Sequence, residues 1–518
     1  MSEIFEKRPD GANRRQTRAD KERKDKRKVR VLTISVVAVL AILFTGAMLI
    51  NSRVLCRIFP ALTIGGIDFP AAEYDYYFAS AYNEFRNQYI SYLGEETAQQ
   101  YLPSTSESLA SQTKEEGVTW EDYFAQSAKA NMSNIAKLYT AANTAGFVLS
   151  DEAIESIDSQ IDTLKSQAGT YSYPSVNSFI QAMYGYSVNE AFLRKILERA
   201  SIAYEYNKSV YDSYTYTPQQ LTQYYSENAD TLDNFNFRSF TVLSAPSEET
   251  YDTEEEKAAA DEVALNAARE QAKLIVSGIS SEDDYINSAK EYDEVSYEKP
   301  ESTLMENAGS NLDYAEYGEW LRDSARKYGD VTTIDTSNGA YVIFFLNRDK
   351  NEYSTANMRW ILMLPESVDS SAFEEGEDDP EYTAAVEDAK VKLEEKAEAA
   401  LAEFTGGGAT EEKLLEMMKE YSSDNKEGGL YEKIQKGSMG VTELDDWLFA
   451  PERKYGDYSL IKSESYGYHL VFFMGNGERS CDVSAESGLR EKDHQAWTDG
   501  LATAEPVIRW AFSLTQKH

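Results

Sequence analysis

Few side chains in this chain have the chemistry of the common enzyme classes. It contains three histidines (His469, His494 and His518) and two cysteines (Cys56 and Cys481) among 518 residues. That supply excludes a disulfide framework and a cysteine- or histidine-rich metal site, so we expect no metal and no other cofactor. A serine hydrolase is a poor fit as well, because no Gly-x-Ser-x-Gly sequence is present.

Two side chains are candidates for catalysis. His469 follows a Gly-Tyr pair within an apolar, β-rich run, and Asp424 ends a Ser-Ser-Asp sequence at 422–424. A single histidine on a strand is commonly a packed, hydrogen-bonded residue, and an aspartate in such a loop is commonly a turn cap. From position alone both interpretations stay open, and the elements around the two residues must decide between them.

The first fifty residues indicate the compartment. Residues 1–30 contain twelve lysines and arginines against six acids, and residues 31–50 carry no charge. Twenty helical residues span about 30 Å, the thickness of a bilayer core. The positive-inside rule then predicts a basic cytoplasmic tail (1–30), a single transmembrane helix (31–50) and an extracytoplasmic remainder. A cleaved signal peptide is the alternative, but the apolar stretch is long and no A-x-A site follows it.

The composition of the chain limits what the remainder can do. The net charge of −38 argues against a nucleic-acid partner, which would require a basic surface. A hydrophobic content of 42% is enough to bury several cores, so the chain is not disordered as a whole. Its length predicts three or four domains.

Residues 61–235 have a helical pattern. They open with a short strand, a Gly-Gly turn, a second strand and then Pro70, which we expect to open a helix. Ser150 is the expected cap of a later helix, with apolar residues from Ile154 to Leu164 along one face. Tyrosines are dense here, and they fit either a packed core with its rim or an amphipathic groove for unfolded chains.

The most informative feature of the chain is a repeat in its C-terminal half. Five blocks occur twice in the same order: 238–243 with 359–364, 291–292 with 420–421, 320–321 with 447–448, 327–330 with 454–457, and 339–345 with 467–473. In each copy β-rich runs enclose Ala/Glu/Lys-rich helices, which predicts a small antiparallel sheet covered by helices. We therefore predict an α+β fold with two tandem domains, 236–348 and 355–478. A C-terminal helical segment, 479–518, follows them, and we consider that it packs on the helical domain.

The second copy resembles the parvulin family of peptidyl-prolyl isomerases. The resemblance rests on seven blocks in the family's order: 359–362 (Arg-Trp-Ile-Leu), 420–424 (Glu-Tyr-Ser-Ser-Asp), 428–430 (Gly-Gly-Leu), 436–439 (Lys-Gly-Ser-Met), 444–449, 456–457 and 467–470 (Gly-Tyr-His-Leu). The layout of the whole chain resembles the PrsA/SurA type of extracytoplasmic foldase. It implies a helical chaperone domain at 61–235 followed by two parvulin-like domains.

The resemblance also implies roles for individual residues. His469 and Asp424 stand at the family's catalytic positions, and further positions match residues that bind the substrate: Met439, Leu430, Leu444 and Phe449, with Trp360 and Ser422 in the same blocks. Trp360 is the main departure, because the family usually has a first histidine there. The first copy departs further, with Tyr341 at the position of His469 and no clear match to Asp424. We expect that copy to keep the fold and to have lost the chemistry.

These features predict a membrane-anchored extracytoplasmic foldase and chaperone for exported proteins. Its partners would be unfolded or newly exported polypeptides and their proline-containing segments, with no nucleic acid, and its isomerase activity would belong to the second copy. The alternative is a catalytically inert holdase or assembly scaffold of the same architecture. The missing first histidine favours that alternative.

Overall fold

The structure, a computed structural model, describes residues 11–51, 53–245, 251, 253–373, 376–424, 426–463 and 467–516. Residues 1–10 of the predicted basic tail lie outside this part of the chain. The fold is a mixture of helices and strands, with an apolar helix near the N-terminus and several small antiparallel sheets. This agrees with the α+β class expected from the sequence.

The helices follow one another along the whole chain. They are α1 (Gly11–Asn51), α2 (Val54–Ile58), α3 (Ala71–Leu93), α4 (Glu95–Ala98), α5 (Trp120–Ala145), α6 (Asp151–Thr170), α7 (Val176–Tyr184), α8 (Glu190–Ser213), α9 (Pro218–Glu227), α10 (Ala229–Leu232), α11 (Glu254–Gly278), α12 (Glu282–Tyr292), α13 (Gly318–Arg322), α14 (Pro380–Gly406), α15 (Glu411–Tyr421), α16 (Thr442–Leu448) and α17 (Ser480–Gly500).

The strands are short and pair in antiparallel fashion. They are β1 (Pro60–Ile64), β2 (Ile67–Pro70), β3 (Thr113–Glu115), β4 (Val118–Thr119), β5 (Asn234–Leu243), β6 (Leu304–Ala308), β7 (Val331–Thr336), β8 (Gly339–Asp349), β9 (Ser354–Met363), β10 (Leu430–Ile434), β11 (Tyr458–Ser463), β12 (Gly467–Arg479) and β13 (Val507–Ile508). Their sheets have the orders β13-β1-β2, β3-β4, β6-β5-β8-β7 and β10-β9-β12-β11.

The chain divides into two compact units, Met1–Tyr214 with Asp493–His518 and Thr215–Lys492. This division differs from the predicted end of the helical segment at 235. The reason is that α10 is tied to β8 of the second unit: Arg348 donates from Nη2 to Asp230 Oδ1 (2.8 Å) and from Nε to Asp233 Oδ2 (2.5 Å). The predicted C-terminal segment 479–518 is also divided, because α17 crosses the boundary.

The first unit contains the apolar N-terminal helix. Within α1, the stretch Lys21–Gly46 is long and apolar enough to cross a membrane, and it overlaps the predicted anchor at 31–50. None of this stretch is buried inside the protein. The strand–turn–strand expected after it is present as β1 and β2, and Pro70 is the N-cap residue of α3.

The core of the first unit is built mainly from α3, α5 and α8. Ser150 caps α6 as expected, since its hydroxyl accepts a hydrogen bond from the Ala153 amide (3.1 Å). Two of the many tyrosines, Tyr74 and Tyr77, lie in this core, whereas Tyr92 is exposed. Residues of the C-terminal segment pack against the same core: Trp497, Leu501, Phe512 and Leu514.

The two four-stranded sheets of the second unit have the same strand order. In each sheet, the first and last strands of the copy form a long central pair (β5 with β8, β9 with β12). The strand just before the last one (β7 or β11) flanks this pair on one side, and a short strand from the middle of the copy (β6 or β10) flanks it on the other. The registers also correspond: Arg238 lies opposite Phe344, and Arg359 lies opposite Phe472. Sequence blocks that recur in order therefore occupy equivalent places in the two sheets.

Recurrent contacts explain why those blocks recur. Arg238 Nε contacts Glu282 Oε1 at 2.7 Å, and Arg359 Nε contacts Glu411 Oε1 at the same distance. Each arginine thereby ties the strand that opens its copy to the N-terminus of a helix, where an acid is favourable. In both copies a tyrosine hydroxyl from the Lys-Tyr-Gly-Asp block donates to the other oxygen of that glutamate.

We predict that this ion pair stabilises each sheet. Glu411→Gln leaves Arg359, 16% exposed, without its charged partner, and should cost about 1–3 kcal/mol. In native-state hydrogen exchange the amides of β9 should then exchange about 5- to 150-fold faster, with β5 unchanged. Glu282→Gln should act on β5 in the same way.

Glu387→Gln is the matched control, because Glu387 pairs with Lys390 on the surface of α14 with both side chains mostly exposed. Such a pair contributes little, so exchange should change by about twofold or less. Equal effects of the surface variant and the two sheet variants would show that the recurrent pair is not structural.

Candidate functional site

The second sheet has two faces of different character. Alternate residues of β9 and β12 (Ile361, Met363, Leu470 and Phe472) meet α14 and α15, and we call this the helix face. The other residues of the same strands (Met358, Trp360, Val471 and Phe473) meet α16, and we call this the site face. Because successive residues of a strand point to opposite sides, register decides which candidates can act together.

His469 lies on the site face and is enclosed. It pairs in register with Leu362 of β9 and Ile461 of β11, and 1% of it is exposed. Neither ring nitrogen has a hydrogen-bond partner within the described part of the chain. Burial lowers the pKa of His469 to about 4, although the nearby carboxylate of Glu443 acts in the opposite direction. The imidazole is therefore neutral at pH 7.

Trp360 connects the two catalytic candidates. Its ring stacks on that of His469, with centroids 5.1 Å apart and an interplanar angle of 27°. Its Nε1–H donates to Asp424 Oδ2 at 2.8 Å. The residue that departs from the parvulin pattern thus contacts both polar groups of the site.

Asp424 is the half-buried acid at the edge of this arrangement. Its Oδ2 also accepts from the hydroxyl of Tyr431 (2.9 Å), and its Oδ1 accepts from the Lys426 amide (3.1 Å). Partial burial opposes the ionisation of Asp424, but the hydrogen bond from Trp360 and the other two outweigh it, so its pKa is lowered. Asp424 is accordingly a carboxylate at pH 7.

Tyr431 is a site residue that the sequence reasoning missed. Besides its bond to Asp424, its ring meets the Trp360 ring edge-on at 5.2 Å, and Lys426 Nζ lies 3.9 Å from the Tyr431 centroid. The signal was present in the sequence: if residue 430 begins a strand, residue 431 must point to the opposite face.

The structure does not bring Leu430 to the site face. Leu430 is the register partner of Arg359, whose side chain reaches Glu411 of α15. Directly paired residues in an antiparallel sheet share a face, so Leu430 belongs to the helix face. The expectation that it lines the pocket is wrong by one residue, and Tyr431 takes that place.

The other apolar candidates are placed unequally. Met439 and the buried Leu444 belong to the same apolar cluster as Trp360, with Leu444 on α16. Phe449 touches that cluster too, but its ring packs edge-on against Tyr353, at 5.6 Å. Tyr353 immediately precedes β9, at the opposite end of the strand from Leu362, so Phe449 lies away from His469.

Ser422 supports the backbone of the site. Its hydroxyl accepts from the Leu362 amide (3.4 Å) and from the Asp424 amide (3.2 Å). Ser422 ends α15 and so fixes the loop that carries Asp424. It acts as a positioning residue.

The first sheet has different side chains at the corresponding positions. Tyr341 takes the register position of His469 and packs edge-on against Tyr317, at 5.1 Å. Ser239 takes the position of Trp360. Ser239 pairs with Ile343, two residues after Tyr341, and Trp360 pairs with Val471, two residues after His469. After α12, Asp293 caps the following turn through the Val295 and Ser296 amides. Val295, at the place of Asp424, is 91% exposed.

The large cavities of the second unit lie elsewhere. One of about 730 Å³ and one of about 880 Å³ share Lys436 and Gly437 in their walls, and Phe449 lines the larger.

No cluster of three or more metal-ligating side chains occurs in the described ranges. Cys56 and Cys481 are free and buried, which raises the pKa of each thiol. They belong to different units.

Comparisons with known proteins give matches only among solved structures. No protein-family profile matches the chain, and no curated protein matches it. Thirteen solved chains match. They include the peptidylprolyl isomerase PrsA of Bacillus anthracis (16% identity, 42% of this chain and 78% of that one, TM-score 0.21) and of Bacillus cereus (16%, 48% and 78%, 0.24). PrsA of Bacillus subtilis also matches (14%, 59% and 89%, 0.15). At such identities and TM-scores these likenesses do not assign a function to the chain.

We predict that His469 makes the second sheet sensitive to acid. Its pKa is about 4 when folded and near 6.5 when unfolded, so the unfolded chain binds the extra proton between these values. The stability that neutral His469 contributes is therefore complete above pH 6.5 and falls by about 3 kcal/mol as the pH drops to 4. His469→Phe keeps an aromatic ring beside Trp360 and removes this term.

The measurement is hydrogen exchange of β12 amides at pH 7 and pH 4.5, corrected for intrinsic rates, in both proteins. The exchange of the β12 amides must be compared, and not the stability of the whole chain. Burial also raises the pKa of Glu73 to about 7 and that of Asp75 to about 6 in the first unit, so the stability of that unit depends on pH as well. Acid should weaken protection of β12 more in the natural chain than in the variant. An equal pH response would show that His469 is protonated in the folded state.

Proposed function

We propose that this chain is a membrane-anchored extracytoplasmic foldase that catalyses peptidyl-prolyl isomerisation in its second parvulin-like domain, 355–478. The observation that carries the proposal is the arrangement on the site face. A neutral imidazole is stacked on an indole, the indole is hydrogen-bonded to a half-buried carboxylate, and apolar side chains adjoin them. The clients would be unfolded or newly exported polypeptides.

The anchoring part of the proposal rests on α1. A helix of this length and apolarity, none of it buried in the protein, fits a bilayer span. The basic residues that precede it favour a cytoplasmic N-terminus. Residues 61–235 would then be the helical chaperone domain on the outer side, followed by the domains 236–348 and 355–478.

Prolyl isomerisation requires neither a nucleophile nor a cofactor. The barrier to rotation is about 18–20 kcal/mol because resonance places negative charge on the amide oxygen and positive charge on the nitrogen. A site lowers it by binding the twisted, less polar amide better than either planar isomer. An apolar surface formed by Met439 and Leu444 would hold the proline ring and exclude water, which favours the planar form.

Asp424 would supply the electrostatic part. A carboxylate beside the carbonyl of the residue that precedes the proline disfavours negative charge on that oxygen and so raises the energy of the planar amide. Trp360 and Tyr431 hold this carboxylate in place through their hydrogen bonds. His469, at 1% exposure, would act behind the surface by fixing the indole plane.

A specific observation favours the second candidate, an inert holdase or scaffold. The Asp424 carboxylate already accepts three hydrogen bonds from within the protein, which disperse its charge. Trp360 also occupies the position where parvulins usually have their first histidine. In that case the same face would bind proline-containing segments without accelerating their isomerisation.

We predict that Asp424→Asn lowers kcat/KM for a proline-containing peptide about 10- to 100-fold. The asparagine oxygen can still accept from Trp360 and Tyr431, whereas its amide group replaces the oxygen that accepts from the Lys426 amide. The variant therefore removes the charge and one hydrogen bond. The assay is protease-coupled isomerisation by the full chain in detergent micelles. Suppression of the aggregation of an unfolded client, measured in parallel, should be unchanged.

Tyr341→Phe is the matched control in the first sheet, and it should leave the rate as it is. If the peptide isomerises at the uncatalysed rate in the presence of the natural chain, the enzyme assignment fails and the holdase assignment remains. If Tyr341→Phe lowers the rate as much as Asp424→Asn, the activity has been assigned to the wrong domain.

A further inference from the structure

An exposed apolar surface lies close to the outer end of the anchor. It consists of Ile58, Phe59, Ile508 and Trp510, and we call it the juxtamembrane patch. These residues are 61%, 38%, 61% and 63% exposed. The Phe59 and Trp510 rings are in contact, with centroids 5.0 Å apart. Large apolar side chains grouped on a surface in this way indicate an interaction site.

The fold of the first unit assembles this patch from two distant parts of the chain. Strand β13 pairs with β1, which sets Ile508 opposite Leu62, and the Arg509 amide donates to the Ala61 carbonyl (2.8 Å). Arg509 is extended, so Ile508 and Trp510 point to the same side. Leu62, the register partner of Ile508, and Phe512, two residues beyond Trp510, belong to the core, so the core fixes the position of the patch.

The covalent connection to α1 limits how far the patch can lie from a bilayer. Three extended steps from Asn51 to Val54 and the five residues of α2 span no more than about 18 Å. The headgroup region of a bilayer is itself several Å thick on each side. A patch on so short a connection therefore lies within reach of the lipid interface.

The composition and charge of the patch fit that interface. Tryptophan prefers the headgroup level, where its ring is shielded and its N–H is hydrated. Arg53, Arg57 and Arg509 lie close to the patch residues in the sequence of a chain whose net charge is −38. Arg57 donates to the Ser187 carbonyl and Arg509 to the Thr63 hydroxyl. The neighbouring acid, Asp68, accepts from that same hydroxyl.

We propose that the juxtamembrane patch rests in the lipid interface of the bilayer that α1 spans, on its outer side, and holds the first unit against the membrane. The proposal depends on the anchoring part of the proposed function and is independent of the isomerase site. Each arginine near an anionic lipid surface adds to the attraction, so anionic lipids should strengthen the docking.

The test uses the full chain reconstituted into vesicles of phosphatidylcholine and phosphatidylglycerol, with lipids brominated near the headgroup as quenchers. The chain has six tryptophans. We expect the brominated lipids to quench part of their emission, and most of that quenching to disappear in Trp510→Phe. Trp320→Phe, in the second unit, is the matched control and should keep it. Arg53→Gln, which changes an exposed arginine just before α2, should weaken the dependence of the quenching on phosphatidylglycerol.

Several outcomes would overturn the proposal. Equal quenching in Trp510→Phe and the natural chain, while both stay in the vesicles after carbonate extraction, would refute the docking and leave the anchor in place. Loss of the chain from the vesicles on extraction would refute the anchor and the docking together. Shielding of Trp510 from acrylamide only when an unfolded polypeptide is added, or only at high protein concentration, would assign the patch to a client or to a second copy.

Discussion

The indole of Trp360 is the contact on which the candidate site depends. It stacks on a histidine that burial keeps neutral, and it donates a hydrogen bond to a carboxylate at the edge of the sheet. Trp360 thus connects the enclosed ring of His469 with the half-buried carboxylate of Asp424. Because its ring lies on His469 and its N–H points to Asp424, movement of either partner would disturb the other.

The framework around this contact occurs in both sheets of the second unit. Both sheets of the second unit use an arginine on the opening strand, a glutamate at the start of a helix and a tyrosine that closes on that glutamate. These contacts lie on the helix face or at the sheet margin, and they are the same in both copies. The site face differs: Ser239 and Tyr341 stand where the second copy has Trp360 and His469. The two sheets therefore share the contacts of the helix face and differ in the side chains of the site face.

The sequence predicted the elements better than the side-chain positions. The repeated blocks predicted equivalent strands because each block carries a contact that any copy of the sheet requires. Leu430 was assigned to the site because its block was matched without its register, and a shift of one residue moves a side chain to the other face. Phe449 matches a substrate-binding position of the parvulin family, but it packs beside Tyr353, at the far end of β9. The stacking of Trp360 on His469 joins residues 109 positions apart, and no local pattern encodes it.

The most direct test of the account is the NMR signal of the Trp360 indole N–H during titration with a proline-containing peptide. The hydrogen bond to Asp424 should shift this signal downfield in the unbound protein, and Asp424→Asn should move it back only in part, because a neutral oxygen still accepts the bond. The account predicts that the peptide changes this signal together with those of Tyr431 and Met439. If the peptide binds and perturbs other residues while these three signals stay constant, the site face is not where the protein binds proline.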